Sequence, residues 1–182
     1  PDLPYARVRC GDEVYYLAEG TLELKRLEDE YREGPKKGAW VKGVPKLKSP
    51  ADYFRARGGF VVEEVVQGET LLGIEYDGPF DDLPAQSVPG GTPWPDEKMA
   101  ARGATGINCH RVIPWKDVSA SDGTGIVHTA PGCGKEDHEL GVEHGLVAIA
   151  PLDEMGRYVD GFGELTGRSV LDGDTTDLIM EH

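Results

Sequence analysis

Apolar and polar positions alternate from the first residues onward. Ala6, Val8 and Cys10 are interleaved with Arg7 and Arg9, Gly11-Asp12 supplies a turn, and Val14 to Leu17 continues as an apolar run. That period of two predicts a hairpin. Thr21 then stands as a cap before Leu24, Leu27 and Tyr31, which share one face of a helix ending before Gly34-Pro35. A second short helix is predicted with Ser49 as cap and Pro50 in its first turn, stopping at Gly58-Gly59. Residues 60–66 and 70–76 are rich in Val, Ile, Leu, Phe and Tyr and are divided by Gln67-Gly68, the pattern of a second hairpin. From Gly78 to Gly106 the density of Pro and Gly predicts a long irregular excursion. Strands at 110–114 and 124–130 should lead into a helix near 135–144 ended by Gly145, then an apolar strand at 146–150 and a last hairpin around Glu154 to Gly156. The pattern is mixed and strand-rich, with short peripheral helices and no internal repeat.

The 182 residues suit a single domain. No apolar run approaches the roughly 18 residues of a membrane span, and no secretion signal opens the chain, so a cytoplasmic protein without a membrane partner is expected. Cys10, Cys109 and Cys133 are odd in number and far apart, which argues for free thiols. A net charge of -14 disfavours a general nucleic-acid binder, yet residues 25–58 carry 10 of the 19 basic residues and 5 of the 33 acidic ones. That stretch is either a basic binding face or a solvated surface.

The densest chemistry lies in GTGIVHTAPGCGKEDH, residues 123–138. Its glycines let the backbone approach a ligand, and a helix start after them presents unpaired N–H groups. Lys135-Glu136-Asp137 stands where a phosphate loop has Lys-Ser/Thr, so an anion would meet two carboxylates, and phosphate binding is rejected. A carboxylate there suits a cation such as the α-ammonium of an amino acid. The plainer reading is that Glu136 and Asp137 complement the helix dipole. His128 is either a structural histidine or a group facing the same pocket. Cys109-His110 and Cys133 with His138 invite zinc, but the spacing lacks a Cys-x2-Cys pair and no metal is expected. A thiol nucleophile at Cys133, with His128 or His138 as base and Asp137 beside it, is a further alternative.

The same GTGIVHTAPGCGKEDH, followed by HELGVEHGL, resembles the editing domain of isoleucyl-tRNA synthetases, as do GETLLGIEYDGPF at 68–80 and VAIAPLDEMGRYVDGFGELTGRSV at 147–170. His128 is the isoleucyl pattern where valyl enzymes usually carry Lys, an editing domain of the valyl type being the alternative. The resemblance implies an α+β, β-barrel-like domain with short helices outside, excised from a larger synthetase and lacking an upstream threonine-rich peptide. It implies hydrolysis of valine misattached to isoleucine tRNA, with no cofactor. Asp137 matches the aspartate that holds the α-amino group, and His128 the histidine beside the substrate side chain and terminal adenosine. Gly123, Thr124, Gly125, Thr129, Ala130 and Pro131 match the frame that lines or supports the pocket. The implied partners are the tRNA 3′ end carrying valine, with its terminal adenosine, and the remainder of the ATP-binding parent synthetase. Neither the His-Ile-Gly-His nor the Lys-Met-Ser-Lys-Ser signature of the aminoacylation core is present. A fragment that binds the aminoacylated 3′ end without turnover is the rival reading.

Overall fold

A computed structural model describes residues 1–27, 47–121 and 123–181. The chain divides into two compact units, one of Pro1–Leu72 with Pro114–Val127 and one of Gly73–Ile113 with His128–His182.

The first unit is built on the expected hairpin. β1 (Pro4–Cys10) and β2 (Glu13–Ala18) pair antiparallel with Cys10 opposite Glu13. Gly11 has φ +60°, the backbone geometry that a Gly-first two-residue hairpin turn requires. Alternation then sorts the side chains: Ala6, Val8 and Cys10 are buried on one face, while Arg7 and Arg9 on the other both reach Glu63. The outer edge of β1 takes β5 (Val61–Gln67), giving a three-stranded antiparallel sheet in the order β2-β1-β5, with a register shift between Arg7 and Val8.

Helix α1 (Pro50–Ala56) forms where the sequence places it, for local reasons. The Ser49 hydroxyl accepts from the Asp52 N–H at 3.2 Å and the Asp52 carboxylate accepts from the Ser49 N–H at 3.1 Å, a reciprocal capping box ahead of Pro50 at the first helical position. Gly58 and Gly59, at φ +110° and +98°, lead the chain away. Ala51 and Phe54 face inward, and Phe54 packs against Tyr15 and Phe60 with ring centroids 5.0 and 5.6 Å away. These side chains close the core formed by Ala6, Val8, Cys10, Leu17 and Leu22.

Two expectations for this unit are overturned. The helix capped by Thr21 is replaced by a 3₁₀ turn at Glu19–Thr21 and by strand β3 (Arg26–Leu27), which pairs with β4 (Leu47–Lys48). Thr21 is buried, and its hydroxyl donates back to the Ala18 carbonyl at 2.9 Å instead of accepting from a helix start. The remainder of that expected helix, and most of the basic stretch 25–58, lie outside the described residues. The hairpin expected at 60–66 and 70–76 also does not form: β5 pairs with β1, and residues 68–71 make a 3₁₀ turn. Gly68 lies against the Tyr5 ring and its N–H donates to the Leu3 carbonyl at 2.9 Å, so the start of β1 captures the segment before it can fold back.

The second unit has a smaller apolar cluster of Ala85, Phe162 and Leu165, with Leu83, Ile149, Tyr158, Val159, Leu178 and Ile179 around it. Its helices are α2 (Glu97–Ala101), α3 (Lys135–His144) and α4 (Gly173–Glu181). α3 and its left-handed Gly145 cap were expected, whereas α2 and α4 were not. The expected strands at 110–114 and 146–150 shrink to single bridges, Glu75 with Arg111 and Thr92 with Ile149. Pro114 and Pro151, which have no N–H to donate, follow closely in each case. The turn at Asp153 to Arg157 does fold back as a hairpin, the Asp153 N–H donating to the Arg157 carbonyl at 2.9 Å. The class is therefore α+β, with a small antiparallel sheet. Among the described residues that sheet is open at β2 and β5 and closes no barrel. No helix among them is long and apolar enough to cross a membrane.

Candidate functional site

The Gly-rich segment 123–138 is not a strand leading into a turn. Gly123 and Gly125 take φ of +56° and +72°, which breaks the extended backbone expected at 124–130. The first compact unit ends at Val127 and the second resumes at His128, so the candidate residues are divided between the two.

In the first unit the frame is fixed by backbone groups. The Thr124 carbonyl accepts from the Ala18 N–H at 2.7 Å, and the Gly125 carbonyl accepts from the Tyr5 hydroxyl at 2.6 Å. Burial raises the Tyr5 phenol above its ordinary value, so it stays a donor. Gly125 is buried, and a Cβ there would run into the Ala18 methyl. The Thr124 hydroxyl turns back on its own segment, donating to the Ile126 carbonyl at 3.2 Å. Gly123 and Thr124 are exposed.

In the second unit His128 is exposed, while Thr129, Ala130 and Pro131 are half-buried. The chain turns through Cys133, whose N–H donates to the Ala130 carbonyl at 2.9 Å, and Gly134 opens α3 in an extended conformation with no side-chain cap. Gly132 is pressed on the backbone of Ile149 and Ala150, and Gly141 on the Pro131 ring. The turn and the helix are thereby held together. Asp137 lies half-buried in the first turn of α3, Glu136 exposed beside it. Among the described residues neither the Asp137 carboxylate nor the His128 ring has a hydrogen-bond or ion-pair partner. An unpaired carboxylate at the positive end of a helix is a ready acceptor for an ammonium group.

The rival chemistries are placed as follows. Cys133 is exposed, and His138 turns its Nδ1 to the Pro131 carbonyl at 3.3 Å. Cys109 Sγ lies 3.8 Å from the Gly145 carbonyl, and His110 stacks on Tyr76. Among the described residues no three His, Cys, Asp or Glu side chains converge on a metal position.

Over 181 residues, all of its length, the chain is 32% identical to part of the isoleucine–tRNA ligase of Methanothermobacter thermautotrophicus. The chain belongs to the isoleucine–tRNA ligase family. The isoleucine–tRNA ligase of Methanothermobacter marburgensis is 30% identical over 96% of the chain, and that of Thermococcus kodakarensis 54% identical over 55% of it. The chain spans 13%, 12% and 8% of the lengths of these isoleucine–tRNA ligases. No family model matches it.

Proposed function

We propose that residues 1–182 form the editing domain of an isoleucine–tRNA ligase and hydrolyse the ester of valine misattached to isoleucine tRNA. The observation that carries this reading is the Asp137 carboxylate, half-buried and without a partner among the described residues, behind the Gly-rich turn of a chain in this family. In the proposed mechanism Asp137 accepts hydrogen bonds from the substrate α-ammonium and fixes the ester beside the turn. His128 stands next to the substrate side chain and terminal adenosine, admitting valine and crowding isoleucine. Thr129, Ala130 and Pro131 frame the bound aminoacyl-adenosine. Water attacks the ester carbonyl, the bond to the ribose oxygen breaks, and valine and tRNA leave. No cofactor takes part. The rate gain then comes from positioning.

The need for such a site is a matter of magnitude. One methylene supports discrimination of only about 10- to 200-fold, a range for which isoleucine–tRNA ligase is itself the standard illustration and not a result of this structure. A second site that admits valine by size closes the gap. The same reading makes the protein cytoplasmic, with tRNA and the rest of the synthetase as partners. It also keeps the β-barrel, for which further strands would have to pair on the open edges of β2 and β5.

The test is deacylation of valyl-tRNA and isoleucyl-tRNA, both on isoleucine tRNA, by the chain and its Asp137→Ala variant. Loss of a hydrogen bond to a charged group predicts a fall in valyl ester hydrolysis of about 10- to 150-fold. Valyl-tRNA that is bound but not hydrolysed would leave a 3′-end-binding module, and equal hydrolysis of both esters would remove the selectivity.

A further inference from the structure

Asp137 sits on a ten-residue helix whose far end is gripped by side chains with no place in the mechanism above. The Arg111 guanidinium donates through Nη2 to the carbonyl of His144, the last residue of α3, and through Nη1 to the Cys109 carbonyl at 3.5 Å. Cys109 Sγ lies 3.8 Å from the carbonyl of Gly145, the residue that caps the helix. Residues 109 and 111 therefore reach the same helix end. His110, between them, points elsewhere: its ring stacks on Tyr76 with centroids 5.2 Å apart and faces Asp81 at 3.3 Å.

The arginine is itself well placed. Its backbone is bridged to Glu75, the Val112 N–H donates to the Ile74 carbonyl at 2.9 Å and the Gly73 N–H to the Val112 carbonyl at 2.8 Å. A cation at the C-terminal carbonyls satisfies acceptors that the helix leaves open and opposes the negative end of its dipole. At 1.5 Å rise per residue, His144 stands about 10 Å along the axis from Asp137. A helix turn is stiff along its axis, so a shift at one end moves the other. Gly141, further along the helix, abuts the Pro131 ring, and at the near end the His138 Nδ1 faces the Pro131 carbonyl at 3.3 Å, so the same slide would also strain the turn.

We propose that Arg111, assisted by Cys109, is a positioning residue of the editing site: by clamping the C-terminus of α3 it sets where the Asp137 carboxylate meets the substrate α-ammonium. The proposal rests on the assignment of Asp137 to that ammonium. It also accounts for Cys109-His110, whose two side chains serve separate neighbours and not a common ligand.

The experiment measures the affinity of the full chain for a non-hydrolysable valyl-adenosine amide and for the matching isovaleryl amide, which lacks the α-ammonium. The ratio of the two affinities reports the Asp137 interaction alone. Arg111→Ala should lower that ratio about tenfold, through loss of alignment in a charge-assisted hydrogen bond. Arg111→Lys, which keeps the charge and a donor, should recover part of it. In an Asp137→Asn background Arg111→Ala should leave the ratio unchanged. An unchanged ratio in Arg111→Ala, with Asp137→Asn effective, overturns the positioning role and leaves the site assignment standing. Equal weakening of both probes by Arg111→Ala overturns it too, by marking a merely structural role. If Asp137→Asn does not alter the ratio, or neither probe binds, the assignment of Asp137 fails and the role of Arg111 fails with it.

Discussion

Gly132→Ala probes the joint between the Gly-rich turn and the segment beneath it. A methyl built on Gly132 would overlap the Ile149 carbonyl group and approach the Ala150 nitrogen to 2.8 Å. These are backbone atoms, so no rotamer change relieves the clash. Restoring an ordinary separation of about 3.5–4.0 Å requires the two backbones to part by about 1.5–2 Å. Overpacking of this kind costs about 1–3 kcal/mol, which for a chain of this size lowers Tm by about 2–12 °C. A displacement of about 1 Å or more at the turn that leads into the helix of Asp137 predicts a loss of about 100-fold in valyl-tRNA deacylation. The assay pairs thermal denaturation with deacylation of valyl-tRNA on isoleucine tRNA. Gly173→Ala is the control, since a methyl there meets nothing within 4 Å. If Gly132→Ala matches wild type in both Tm and rate, the close approach of the turn to Ile149 and Ala150 does not position the site, and the reasoning is refuted.

Ser49→Ala removes one half of the capping box of α1 and should cost about 0.5–2 kcal/mol by chemical denaturation, toward the low end because the Ser49 carbonyl also accepts from the Asp52 N–H at 3.0 Å. Asp52 adds a pH dependence: its carboxyl is held below 3.8, chiefly by the Ser49 backbone N–H and then by the Ser49 hydroxyl and Arg55. A depressed folded-state value means that its stabilisation is complete above 3.8 and is lost as pH falls through that value and below, so the stability gap between wild type and Asp52→Asn should narrow on acidification. A gap that stays constant down to acid pH would show that the capping carboxylate is not ionised to any benefit in the folded chain.

What could be read from the sequence by itself was whatever is encoded within a few residues. The Gly11 turn, the Ser49 cap, the Gly58-Gly59 stop, and α3 with its Gly145 cap all rest on interactions spanning five residues or fewer. The position of Asp137 in the first turn of α3 follows from Gly134 and the helix start in the same way. What only the tertiary structure decided were the long-range choices. The Val-rich composition of Val61–Gln67 announces a strand but not a partner, and the open edge of β1 took it where a local hairpin was expected. The same apolar run at 124–130 yielded no strand, because Gly125 had to pass against Ala18 in a left-handed conformation. Thr21 carried a cap's side chain but was buried and bonded back to Ala18. Arg111 carries no local signal, since nothing near it in sequence says that the end of α3, 33 residues on, lies within reach of its guanidinium. Local hydrogen bonds are fixed by chain connectivity, whereas pairing and clamping depend on which edges and carbonyls remain unsatisfied once the chain has packed.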